Sequence, residues 1–170
     1  MIAAGSSPVL YVIACAAAPA PQLGRLVDAA QADGWRVYVI ATPAALAFLD
    51  LDALAAQLGV PVFSEYRRPD EPKRQPPADA AIVAPGTYNT INKWAAGIAD
   101  NYALGTLAEL TGQGVPIALL PSVNENLAAN RAYVRSLAEL RAAGVRVLPS
   151  PAQEDRDFPW LQGVAALRGM

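Results

Sequence analysis

The chain has 170 residues and a formal net charge of −2, enough length for one domain with a two-sided core and too little positive charge for general nucleic-acid binding. One cysteine excludes an internal disulfide and fits a reducing compartment. The absence of histidine excludes a serine–histidine triad and disfavours zinc. Acid–base work is then left to a shifted carboxylate, lysine, tyrosine or cysteine, or to a cofactor.

In chain order, the amino terminus lacks a positive region ahead of its first apolar run, so no signal peptide is expected. No apolar run approaches the roughly 20 residues that span a bilayer, and a soluble cytoplasmic protein is the expectation. Val9 to Ala14 reads as a buried strand, followed by the small residues Cys15 to Ala18 and prolines able to open a helix. That helix carries Leu23, Leu26, Val27 and Ala30 on one face and stops at Asp33-Gly34. The same ending recurs: Gly34, Gly59, Gly114 and Gly144 each follow a helical pattern and directly precede an apolar run. Glycine just past a helix end accepts the left-handed cap conformation, so each reads as helix stop, strand start.

Val37 to Ile40 leads to Thr42-Pro43 and a helix carrying Ala44, Leu46, Phe48 and Leu49, with Thr42 either a plain helix cap or a ligand-binding hydroxyl. Asp52 to Leu58 gives another helix and Pro61 to Phe63 a short strand. Ser64 to Ala78, with four prolines and seven charges, has almost nothing to bury and reads as a mobile surface loop or flap. Its cluster of Arg67, Arg68, Lys73 and Arg74 is read as solvated, with a lesser possibility that one arginine meets an anion.

Ala80 to Ala84 is a strand broken at Pro85-Gly86. A long amphipathic pattern then places Ile91, Trp94, Ile98 and Tyr102 on one helical face, behind an N-cap drawn from Thr87, Asn89 and Thr90. Val115 to Leu120 is the next strand. Leu127 to Ala143 is read as one helix with a stripe of Leu127, Ala132, Val134, Leu137, Leu140 and Arg141, followed by a short strand at Arg146 to Leu148. The tail from Pro149 ends in a helix against the sheet. Six strands alternating with helices imply a single-domain α/β fold over 1–170, a doubly wound parallel sheet with right-handed crossovers.

In such a sheet the ligand sits where strands hand over to helices at their carboxyl edge. The first turn lacks the spaced glycines of a dinucleotide site and no acidic residue closes the second strand, which disfavours NAD. No Gly-Lys-Ser/Thr loop is present either. The remaining walls, Ala14 to Ala18, Thr42 to Ala45 and Pro85 to Asn89, suit a flat aromatic ring held mainly by backbone hydrogen bonds.

The run Pro85-Gly86-Thr87-Tyr88-Asn89-Thr90-Ile91-Asn92-Lys93, followed by Gly97-Ile98-Ala99-Asp100-Asn101, closely resembles the signature of the homo-oligomeric flavin-containing cysteine decarboxylases. That family includes phosphopantothenoylcysteine decarboxylase and the enzymes acting on C-terminal cysteines of ribosomal peptides. Pro121-Ser122-Val123-Asn124 resembles its second motif, with Val123 in place of a methionine and Leu127-Ala128 in place of Met-Trp. The resemblance implies FMN bound by Ala16, Ala17, Ala18, Thr42, Pro85, Gly86, Thr87, Tyr88 and Asn89, and substrate bound by Asn89 and Asn124. Ala16 to Ala18 replace hydroxyl residues of relatives, which implies weaker FMN binding.

For relatives, the flavin oxidises a cysteine side chain to a thioaldehyde, and carbon dioxide then leaves from the carbon beside that electron sink. The family's catalytic histidine falls near Asp70 or Glu71 here. Either serves as a base only if burial raises its pKa, and ordinary surface charge is the stronger reading for both. The expectation is an FMN-dependent decarboxylase of a cysteine-containing peptide or small thiol, without a metal or a nucleic-acid or membrane partner. Relatives assemble from trimers, so a trimer or dodecamer is expected. The alternatives are a non-catalytic FMN-binding subunit of a hetero-oligomer and a flavin prenyltransferase-like enzyme.

Overall fold

Five runs of apolar residues alternate their side chains between two faces, and that period of two builds the sheet. The computed structural model describes residues 7–151 and 157–170. Strands β1 (Val9–Ala14), β2 (Arg36–Ala41), β3 (Ala80–Gly86), β4 (Ile117–Pro121) and β5 (Arg146–Val147) are all parallel, in the order β2-β1-β3-β4-β5. Seven α-helices surround them among the described residues: α1 (Gly24–Ala32), α2 (Leu51–Leu58), α3 (Tyr88–Ala95), α4 (Tyr102–Gly112), α5 (Glu125–Ala128), α6 (Arg131–Ala142) and α7 (Trp160–Leu167).

On one face Tyr11, Ile13, Tyr38, Val83 and Leu119 pack against Ile91 and Trp94 of α3, Leu104 and Leu107 of α4, and Tyr133 and Leu140 of α6. On the other, Leu10, Val12, Val39, Ile82 and Leu120 pack against Leu26 and Val27 of α1, Leu54 of α2, and Trp160 and Val164 of α7. Burying each such aliphatic side chain contributes about 1.5–3 kcal/mol, so both helical layers are needed. The closing helix sits close to the sheet: a Cβ on Gly163 would lie 3.1 Å from Leu120 Cδ1.

The anticipated helix-to-strand joints form at Gly34 (φ 90°), Gly59 (φ 73°), Gly114 (φ 71°) and Gly144 (φ 90°). The strand anticipated at Pro61 to Phe63 contracts to one bridge, Phe63 to Ile40, beside β2. Pro43–Phe48 winds as a 3₁₀ helix that buries only Ala45. The signature run is two helices: Gly97 takes φ 73°, Ile98 is exposed, and Asn101 accepts the Leu104 amide to start α4 afresh. Asn130 likewise caps α6 through the Ala132 amide and separates it from α5. The buried stripe of α6 is therefore Tyr133, Ser136 and Leu140, while Leu127 and Val134 face outward.

The segment 64–78 is tied to the body. Tyr11 donates its hydroxyl to the Pro76 carbonyl at 2.6 Å, Tyr102 donates to Gln75 Oε1 at 3.0 Å, and Tyr66 packs edge-on against Tyr102 at 5.1 Å.

Candidate functional site

Three strand ends meet at the carboxyl edge of the sheet. The Cys15 amide donates to the Pro85 carbonyl at 3.1 Å and the Thr42 amide to the Ala14 carbonyl at 2.9 Å, locking the ends of β1, β2 and β3 side by side. The segments that follow are Ala16 to Ala18, Thr42 to Ala45 and Gly86 to Asn89, the three walls anticipated from sequence. Among the described residues the amides of Ala16 and Ala18 find no backbone acceptor, and the first-turn amides Tyr88 and Asn89 have no partner within α3 by helix geometry. Several N–H groups and the positive end of α3 thus share one edge of the sheet.

Thr42 is buried, at 5% exposure. It precedes the 3₁₀ helix Pro43–Phe48, yet its side chain makes no capping bond, which leaves the hydroxyl available. Ala17 is buried, Ala16 half-buried and Ala18 exposed. Pro85 follows Ala84 through a cis peptide bond, and β3 shifts register against β4 between Val83 and Gly86. A Cβ on Gly86 would stand 2.6 Å from Leu119 Cδ1, so any side chain there forces that buried leucine to shift. Thr87 caps α3, accepting the Thr90 amide at 3.4 Å. Asn89 is exposed.

Two residues passed over in the sequence belong to this edge. Cys15 is fully buried beneath Thr87 and Thr90; burial pushes its thiol pKa up, partly offset by hydrogen bonds with those two threonines. Tyr133, from α6, stacks on Tyr88 with ring centroids 6.0 Å apart. Its helical spacing to Leu137 and Leu140 was the available signal.

Asn124 begins α5, where its Oδ1 accepts the Leu127 amide at 2.9 Å; it is the helix cap that its residue type favours, and its amide N–H₂ group is not used in that bond. Asp70 and Glu71 lie in the 64–78 segment, outside the set of strand-end loops. Glu71 pairs with Arg74 and accepts the Arg68 amide at 3.1 Å. Its pKa is lowered, first by the Arg74 hydrogen bond and next by that of Arg68, the opposite of the upward shift a base there requires. Asp70 is exposed.

The sequence profile of the family described as Flavoprotein matches residues 4–160. The chain belongs to the Flavoprotein family. Among solved structures, this flavoprotein is similar in fold to HAL3 from Cryptococcus neoformans, at 21% identity, covering 96% of this chain and 95% of that one with a TM-score of 0.78. It is similar to the FMN-dependent cysteine decarboxylase SpaF, at 20% identity, 95% of each chain and 0.75. It is also similar to the FMN-binding protein AtHal3, at 22% identity, 88% of this chain, 84% of that one and 0.73. No curated protein matches the sequence. Among the described residues no helix is long and apolar enough to cross a membrane.

The residues at the strand ends fit a flavin. The donor set is uncharged, made of free main-chain amides and the Thr42 hydroxyl, and its walls are small enough for a planar ring to approach the backbone. Such donors suit a phosphate at a helix start and the polar edge of a ring.

Proposed function

We propose that this flavoprotein binds FMN at the edge formed by Ala16 to Ala18, Thr42 and Pro85 to Asn89, and decarboxylates a cysteine-containing peptide or small thiol. The observation that carries the reading is the junction of β1, β2 and β3, which brings free amides and an uncommitted buried hydroxyl to one edge of the sheet. Support comes from the fold likeness to an FMN-dependent cysteine decarboxylase over 95% of both chains and to an FMN-binding protein.

In this reading the Thr42 hydroxyl and the amides of Ala16 and Ala18 hold the phosphate, and Pro85 to Tyr88 border the ring. Bound FMN supplies a two-electron oxidant. Asn89 and the free N–H₂ group of Asn124 orient the substrate carboxylate. In this reading neither Asp70 nor Glu71 takes the place of a histidine base. A cysteine thiol with an ordinary pKa of about 8.5 is already partly ionised near neutral pH, so the substrate brings its own anion. We further propose an assembly built from trimers.

The lowered pKa of Glu71 and the missing histidine favour a second reading, an FMN-holding subunit without turnover. Release of FMN from denatured protein tests the binding claim; a colourless protein that takes up no flavin would remove it. Incubating the yellow protein with cysteine-terminated peptide separates enzyme from carrier: mass spectrometry shows loss of the mass of formic acid for an enzyme and unchanged peptide for a carrier.

A further inference from the structure

A cavity of about 460 Å³ lies away from the strand-end junction, between the 64–78 segment and α4. Its α4 wall is Tyr102, Thr106, Glu109 and Leu110, continued by Gln113 at the helix C-cap, positions i, i+4, i+7, i+8 and i+11 that make one stripe along the helix. At 1.5 Å per residue the stripe is about 16 Å long, the length of about five residues of extended chain at 3.3 Å each. The space is therefore a trough. A helix joining parallel strands runs back against them, so its Tyr102 end lies on the side where the strands finish.

The lining has the chemistry of a peptide complement. Gln75 Nε2 is enclosed and has no hydrogen-bond partner, while its Oε1 is taken by the Tyr102 hydroxyl at 3.0 Å. A buried amide donor left unpaired is unfavourable, and a peptide carbonyl supplies the missing acceptor. The rings of Tyr11, Tyr66 and Tyr102 offer flat apolar surface. Glu65, Arg67, Lys73 and Glu109 line the cavity and form no ion pair among the described residues, while Arg74, also in the lining, pairs with Glu71. Cationic and anionic groups together match a chain with side chains of both signs better than a compact anion.

We propose that this trough binds an extended stretch of about five residues of the substrate, upstream of its reacting cysteine. The inference rests on the decarboxylase reading and selects the peptide over the small thiol. Gln75 anchors the backbone, the tyrosines hold apolar side chains, and Lys73, Glu65 and Glu109 select charge.

The test uses a random hexapeptide library with a fixed, unreactive carboxyl-terminal serine, passed over immobilised protein and read by mass spectrometry of the retained peptides. Wild type is expected to enrich a definite set. Glu109→Trp, which fills the trough from an exposed position on α4, is expected to lower retention of that set at least tenfold, and Gln75→Ala severalfold. Flavin content should stay at the wild-type level in both. No enrichment by wild type, or equal enrichment by wild type and Glu109→Trp, would overturn the proposal. Because peptide retention and flavin content are measured separately on one preparation, a colourless protein that still retains peptides would refute the flavin reading alone. A yellow protein that retains none would refute the trough alone.

Discussion

Cys15 and Pro85, 70 residues apart in sequence, are joined by a 3.1 Å hydrogen bond from the cysteine amide to the proline carbonyl. The bond sets the separation between the first loop and the start of α3, the two walls a ring would lie between in the proposed site. It also holds the thiol under Thr87 and Thr90. Cys15 is expected to resist a thiol reagent at pH 8 in the native state and to react at the rate of structural opening. Its modification kinetics in rising urea should track unfolding; immediate modification of folded protein would contradict the burial.

Gly86→Ala should destabilise the fold by about 1–3 kcal/mol, since the new methyl must displace Leu119 in a packed core. Gly112→Ala is the contrasting substitution: nothing lies within 4 Å of its Cβ position, its φ is not positive, and a gain of about 0.4–1 kcal/mol is expected. Urea unfolding midpoints of the two variants check both signs.

Thr42→Ala is expected to weaken FMN binding about tenfold, the loss of one hydrogen bond to a charged group, without lowering the thermal midpoint, because the hydroxyl caps no helix. Asn89→Ala should also weaken flavin or substrate binding and leave the fold intact, given its exposure. Quenching of flavin fluorescence on titration measures both, and unaltered affinity in the pair would count against the proposed site.

Tyr11 is pushed up to a pKa of about 12, mainly by burial and then by Tyr102, Tyr38 and Glu109. A phenol whose folded pKa is raised contributes stability that is fully present below the unfolded value of about 10 and is lost as pH climbs towards 12. Wild type should therefore lose stability between pH 10 and 12. Tyr11→Phe should lower stability at pH 8 by about 1 kcal/mol through loss of the bond to Pro76, and should flatten the alkaline decline. Urea midpoints across that range give the comparison.

The alternation of strands and helices was legible because the features that mark it are local: Gly34, Gly59, Gly114 and Gly144 need left-handed backbone whatever surrounds them. The breaks inside the two long helical patterns were less so. Asn101 and Asn130 continue an amphipathic spacing as residues, and only the capping bonds to Leu104 and Ala132 show that the backbone restarts there. The strand at Phe63 shrank to a bridge because only Phe63 exchanges main-chain bonds with β2, donating to the Val39 carbonyl and accepting the Ala41 amide. At the site, the small walls and the Pro85 turn could be read directly. The stacking of Tyr88 on Tyr133 depends on α6 crossing α3, a tertiary fact with no local signature.

Trp160, 2% exposed, and Val164 complete the second face of the sheet although they come late in the chain. A ribosome building this protein must extrude residues 158–167 before Ile82 and Leu120 are shielded from water. Until then the β3 and β4 part of that face, which α7 covers, stays open, and a chaperone would find its client in that interval.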